Sequence, residues 1–316
     1  MYDLIGDIHG HAEELELLLL KLGYTLAEGV WRHDTRKVIF LGDYIDRGPH
    51  QRKSVQIVRS MVESGHALAI MGNHEFNAIG YATEKSNQEA LRPHTSNNRK
   101  QHERFLEEFP LGSPEHKDVI AWFKKLPLYI ELPQFRAVHA CYDHRQLKII
   151  ETHLGPDYLL HDKALVEAFT KNSELYEAIE VTLKGIEADL PEGVSYPDKE
   201  GIIRHNVRCN WWNPACKTFK DVALISDESM RARLSDSELP VGIIPKYDNK
   251  KPVFFGHYWY ESAAPHRLSD YAACLDYSVA NKEITIGKLV AYRLHEEAVL
   301  KDSNFVYVDS IYSSAH

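Results

Sequence analysis

Three times within its first 75 residues this chain runs from a short apolar strand straight into a glycine-bearing loop rich in Asp, Asn and His. Residues 2–5 lead into Gly6-Asp7-Ile8-His9-Gly10, 37–41 into Gly42-Asp43-Tyr44-Ile45-Asp46-Arg47-Gly48-Pro49, and 67–71 into Gly72-Asn73-His74-Glu75. Between them Leu15, Leu18, Leu19 and Leu22, then Val55, Val58 and Val62, recur at helical spacing, with Gly23 ending the first helix. Such strand–loop–helix units predict an α/β sheet whose polar loops gather at one edge, where open α/β folds place their ligands.

The rest of the chain is less regular. Helices are expected over 99–109 and 115–124, after a polar loop at 82–98. Residues 128–132 and 135–140 read as a strand pair broken at Pro133-Gln134, the second strand delivering His139. Strand signals return at 253–255, 273–278, 288–294 and 305–308, and are expected to complete a second sheet. Between these blocks, 143–250 is mostly helical and then loop-like, with Leu175, Ile179, Leu183 and Ile186 marking one amphipathic helix. The expected fold is α/β: a two-sheet β-sandwich flanked by helices, with a core of 1–142 and 251–316 and an inserted, mostly helical cap at 143–250.

The loop residues share a chemistry. Hydrolysing a phosphate ester near neutral pH needs a nucleophile stronger than water and positive charge on the phosphate oxygens, and two cations about 3.5 to 4 Å apart supply both. Asp7 and His9 stand two residues apart in a turn that Gly6 and Gly10 permit. Asp43 follows the next strand, where its carboxylate can reach both ions, and Asn73 adds an amide oxygen after the third. His139 and His257, each after an apolar run, could finish the second ion's shell. A lone Asp-x-His is ordinarily a surface turn, but ligands at successive strand ends form a pattern. Carboxylate, amide and imidazole without thiolate single out no ion, so two divalent cations are expected, Mn first, with Fe, Zn, Ni or Co as alternatives.

GDIHG, GDYIDRGP and GNHE, in this order and spacing, resemble the motifs of the calcineurin-like metallophosphoesterases, in their phosphoprotein phosphatase branch. VHA around His139, FGH around His257 and the ending from CLDYSVA to KLVAYRL extend the likeness over most of the chain outside the cap. The resemblance implies a first metal on Asp7, His9 and Asp43 and a second on Asp43, Asn73, His139 and His257. It implies that His74 is the proton donor to the leaving group, held by Asp46, and that Arg47 binds two phosphate oxygens, which suits its planar fork. A second phosphate-binding arginine is implied, with Arg208 first and Arg204 behind it. The implied reaction is in-line attack by a hydroxide bridging the metals, without a covalent intermediate. Residues 190–214, with DKEG, Arg204, Arg208 and Trp211-Trp212, resemble the insert of bacterial members grouped with diadenosine tetraphosphate hydrolases. The paired tryptophans offer a stacking surface for a base, although such residues more often anchor a core. Where relatives commonly carry glycine after the fourth-motif histidine, Ala140 and Cys141 follow here, which would set Cys141 near the metals.

Composition narrows the partners. Asp and Glu outnumber Lys and Arg by 46 to 37, the formal net charge is -9, and no long basic run offsets it, so nucleic acid is disfavoured. No apolar stretch approaches the roughly 20 residues that cross a membrane, and a strand starting at Tyr2 leaves no room for a signal peptide. Cys141, Cys209, Cys216 and Cys274 form no C-x-x-C pair. A cytoplasmic enzyme is therefore expected, acting on a phosphorylated small molecule or a phosphopeptide. Diadenosine tetraphosphate or a similar nucleotide polyphosphate comes first and a Ser/Thr or Tyr protein phosphatase second. A non-catalytic phosphate-ligand binding protein is the reading of another class. Of the 18 histidines, His11, His33, His50, His66, His94, His102, His116 and His153 are expected to be solvated, with His144 and His266 as fallback ligands.

Overall fold

The computed structural model describes residues 1–85, 88–197, 203–213, 215–225, 228–234, 237–245, 247–280 and 287–311. Positions 198–201, the DKEG stretch, and position 214 lie outside the described residues. Two sheets face each other. In the first, Tyr2–Ile5 lies between Lys37–Phe40, parallel, and Lys288–Leu294, antiparallel. Ala67–Ala69 extends it beyond Lys37–Phe40, and Phe305–Asp309 closes the far edge. The second runs Tyr129–Glu131, Arg136–Val138, Val253–Phe255, Ala272–Cys274.

Alternation along the strands assigns the faces, since successive side chains point to opposite sides. Leu4, Ile39, Val290 and Tyr292 of the first sheet meet Ala137, Phe254 and Ala273 of the second in one buried cluster. Their neighbours Ile5, Val38, Phe40, Val253 and Phe255 turn outward, into the cluster that also buries Leu15, Leu18, Val55 and Val58 of the helices Ala12–Lys21 and Gln51–Glu63. The sandwich expected from sequence is thus present, with one correction to its wiring. Strands 288–294 and 305–309 belong to the first sheet, and 273–278 is two strands, Ala272–Cys274 in the second sheet and Asp276–Tyr277 in the first. Apolar strands buried on both faces carry no mark of which sheet they join.

Two local features escaped the periodicity. Thr25–Ala27 and Val30–Arg32 form a hairpin whose turn residues Glu28 and Gly29 both have positive φ, 53° and 79°, as a two-residue turn of this hand requires. The helix expected over 99–109 is two short helices, Ser96–Gln101 and Glu103–Glu108, meeting at His102. Residues 143–250 carry helices His144–His153, Asp162–Ala168 and Glu174–Lys184, then short strand pairs including Glu187–Asp189 with Asn206–Arg208. Leu147, Ile150, Ile179 and Trp211 of this stretch are buried in the same cluster as Val138 and Phe255 of the second sheet.

Candidate metal centre

The three signature loops are laced to one another by backbone. The N–H groups of Ile8 and His9 donate to the Asp43 carbonyl at 3.0 and 2.8 Å, and Gly48 donates to the His9 carbonyl at 2.8 Å. His9, Asp43, Asp46, Arg47 and His257 all have φ between 47° and 69°, a left-handed conformation rare for such residues and concentrated here. Close approach demands glycine beside them: a Cβ on Gly42 would stand 2.6 Å from the Gly72 backbone, and one on Gly256 would stand 1.9 Å from Asp7 Oδ1. Glu75, in the first turn of the Asn73–Ala82 helix, ties the second and third loops together. Its buried carboxylate accepts N–H bonds from Gly72, Asp43 and Tyr44 at 2.8 to 3.0 Å. Burial, then the neighbouring Asp43 charge, push it up to about 7.

Asp43 is the common vertex of the site. Its Oδ2 lies 3.6 Å from His9 Nε2, 3.3 Å from His139 Nε2 and 4.0 Å from His74 Nε2. His139 Nε2 and His257 Nδ1 both face Asn73 Oδ1, at 3.0 and 2.9 Å. Asp7 accepts the His257 N–H at 3.1 Å. Two overlapping sets of ligand atoms lie within 4.8 Å of one another, His9 with Asp43 and His74, and Asp43 with His139 and His257. All six residues expected to bind metal are therefore brought together, from five strand ends and two sheets.

The donor set fits cations on grounds of its own. His9 and His139 donate from Nδ1 to the Ile45 and Leu41 carbonyl oxygens at 3.0 and 2.7 Å, which leaves Nε2 of each aimed into the cluster. Nε2 of His9 and Nε2 of His257 are buried without a hydrogen-bond partner. Burial, Asp276 and Asp43 hold the Asp7 carboxyl well above its ordinary range, as crowded carboxylates do when no cation neutralises them. Burial disfavours charge on His139, yet Asp43 outweighs it and pushes that imidazole up to about 10, a proton standing where a cation would bind.

The model of the calcineurin-like phosphoesterase family matches residues 2–179, more than half of the chain. This chain belongs to that family. An asymmetrical bis(5'-nucleosyl)-tetraphosphatase PrpE of Oceanobacillus iheyensis is 32% identical over 176 residues, which cover 55% of this chain and 63% of that protein. The PrpE of Halalkalibacterium halodurans is 34% identical over 142 residues, 43% of this chain and 54% of the relative. The match thus spans less than two thirds of these relatives. Among solved structures, a cold-active protein-tyrosine phosphatase of a psychrophilic Shewanella is similar over 92% of this chain and 74% of its own, at 15% identity and a TM-score of 0.47, a likeness too loose to bear on function.

In this calcineurin-like phosphoesterase His74 Nδ1 donates to Asp46 Oδ2 at 2.6 Å, the pairing expected of them. Arg47 is exposed at the rim, its guanidinium 4.1 Å over the ring of Trp259, a partner that no motif announced. Trp259 is held by its own N–H, which donates to Asp276 Oδ2 at 2.8 Å. Arg208 is half-buried, with Nε unpaired, and its charge is the second cause, after burial, that holds His257 well below its ordinary range. Arg204 is exposed.

Trp211 and Trp212 take the commoner of the two roles open to them, as core anchors: both are buried against Phe255, and Trp211 donates to the Ala140 carbonyl at 3.0 Å, so neither offers a face to a base. Cys141 is buried near Asp143 and Cys209 and joins neither ligand set. His144 and His266 sit elsewhere, on Asp248 and the Ala264 carbonyl. His11, His102 and His116 are buried, not solvated, and His102 Nδ1 donates to the second oxygen of Asp46. His102 lies 56 residues from Asp46, and only the fold could reveal it.

Proposed function

We propose that this phosphoesterase hydrolyses a phosphate ester or anhydride at the Asp43 centre. The observation that carries the reading is the shared vertex: one carboxylate within reach of His9 and His139, beside a histidine whose other nitrogen is held by Asp46. Two divalent cations held by Asp7, His9, Asp43, Asn73, His139 and His257, Mn first among them, would supply Lewis-acid charge and an acidified water. Arg47 then binds two phosphate oxygens, its guanidinium supported over the ring of Trp259. Arg208 adds a second positive charge near His257. His74 gives its Nε2 proton to the departing oxygen while Nδ1 stays on Asp46.

The names of the PrpE relatives support a nucleotide polyphosphate such as diadenosine tetraphosphate as the substrate. Residues 143–250 act in this reading as a cap over the core. A cytoplasmic setting belongs to the proposal too: all four cysteines are free, and among the described residues no helix is long and apolar enough to cross a membrane. The test is an activity screen of the metal-reconstituted chain with dinucleoside polyphosphates, bis-p-nitrophenyl phosphate and phosphopeptides. Fastest turnover is expected on the dinucleoside polyphosphates. Preference for phosphopeptides would make the chain a protein phosphatase, and silence on every substrate with both metals bound would make it a binding protein.

A further inference from the structure

A buried carboxylate that serves one histidine has a second oxygen to satisfy. In Asp46, Oδ2 takes the Nδ1 hydrogen of His74 and Oδ1 takes the Nδ1 hydrogen of His102, at 2.6 and 2.9 Å. Burial opposes charge on Asp46, yet His102 first, and His74 after it, hold the carboxyl down at about 2. His102 is itself fixed in place. Its ring stacks on Phe105, 4.8 Å away with 24° between the planes, and leans on Tyr81. Glu108, at the end of the same short helix, accepts the N–H groups of Gln51 and Arg52 at 2.7 and 2.9 Å. Gln51 in turn accepts the Asp46 N–H at 2.6 Å. The segment carrying His102 therefore grips the loop carrying Asp46 at two points.

We propose that His102 is a positioning residue for the proton donor: by occupying Oδ1 it locks the plane of the Asp46 carboxylate, so that Oδ2 holds His74 with Nε2 turned to the leaving group. His102 donates no proton to substrate; its Nε2 is buried without a partner. Without this bond a buried oxygen is left unsatisfied, the carboxylate rotates to find a donor, and His74 loses its defined orientation.

The proposal rests on the hydrolase reading, and a leaving-group series separates the two. The metal-loaded full chain is assayed on 2,4-dinitrophenyl, p-nitrophenyl and phenyl phosphate; dinitrophenolate departs without a proton, whereas phenolate requires one. His102→Leu is expected to leave kcat on the dinitrophenyl ester within about twofold and to lower it on the phenyl ester by roughly tenfold or more, with KM unchanged. His102→Asn, whose amide nitrogen stands where Nδ1 stood and can donate to Oδ1, is expected to recover most of that loss. Should His102→Leu not fold, His102→Ser, polar but too short to reach Oδ1, carries the same expectation. An equal loss across the series, or none, overturns the role of His102 while wild-type turnover preserves the hydrolase reading. A wild type inactive on all three esters with both metals bound removes both.

Discussion

At the scale of single residues, the two nitrogens of each imidazole divide the work. His74 uses one on Asp46 and turns the other toward Asp43 Oδ2, 4.0 Å away, close enough to be counted among possible ligands as well as acids. The roles separate in His74→Asn: turnover is expected to fall about 10²- to 10⁴-fold while elemental analysis still finds two metals per chain. Loss of a metal equivalent would instead make His74 a ligand. His139 supplies a second expectation. Its proton, held up to about 10 by Asp43 against the effect of burial, must leave before Nε2 can bind a cation. Metal affinity should therefore rise as pH rises from 6 to 8, by up to about tenfold per pH unit for that one proton. Calorimetric titration in buffers of different ionisation enthalpy would detect the released proton, and a pH-independent affinity would contradict the assignment.

At the scale of elements, caps and close approaches hold the loops in place. The Gln51–Glu63 helix has no acidic residue in its first turn and no side-chain cap of its own; Glu108 serves it from 56 or 57 positions away. Glu108→Ala is expected to cost about 1 kcal/mol, measured by urea unfolding. The helix Pro114–Phe123 carries a pH-sensitive defect. His116 is buried, accepts the Gly112 N–H at 3.4 Å, and leaves Nε2 unpaired; burial, then His102, bring it down to about 4 from an ordinary 6.5. Its folded pKa is the lower one, so the unfolded chain binds the extra proton between pH 6.5 and 4. Stability is present above that window and lost as pH falls through it, on the order of 2 kcal/mol from this residue. His116→Asn keeps an acceptor without the titration and should flatten the acid limb of the unfolding curve.

Much of this level was legible in the chain. The first two strand–loop–helix units, and the third strand with its loop, could be read because short apolar strands, helical stripes and punctuating glycines agree with one another. The gathering of Asp7, His9, Asp43, Asn73, His139 and His257 could be read because each follows a strand end. His102 and Trp259 could not: the first reaches Asp46 only through a break between two short helices, and the second reaches Arg47 through a left-handed backbone at φ 50°. Trp211-Trp212 left two roles open because two adjacent aromatics look alike whether they face a ligand or a core.

Across the whole molecule, Asp7, Asp43 and Asn73 come from loops of the first sheet, and His139 and His257 from strand ends of the second. Cations bound between them belong to the folded state alone. Chelation is expected to lower the melting temperature, by the equivalent of about 4 kcal/mol per ion held at a thousandfold excess over its Kd. Scanning calorimetry with and without chelator checks this, and an unchanged melting temperature would mean that the centre is not a metal site.

One short stretch determines how that loss would spread. At Leu275 the chain passes from the second sheet into the first, with Ala272–Cys274 paired on one side of the step and Asp276–Tyr277 on the other. The two layers are therefore hinged along the same seam that cations held by these residues would clasp. Stripping the ions should quicken amide exchange along the facing strands Tyr2–Ile5 and Val253–Phe255 together, because no ligand loop can let go without slackening the seam itself.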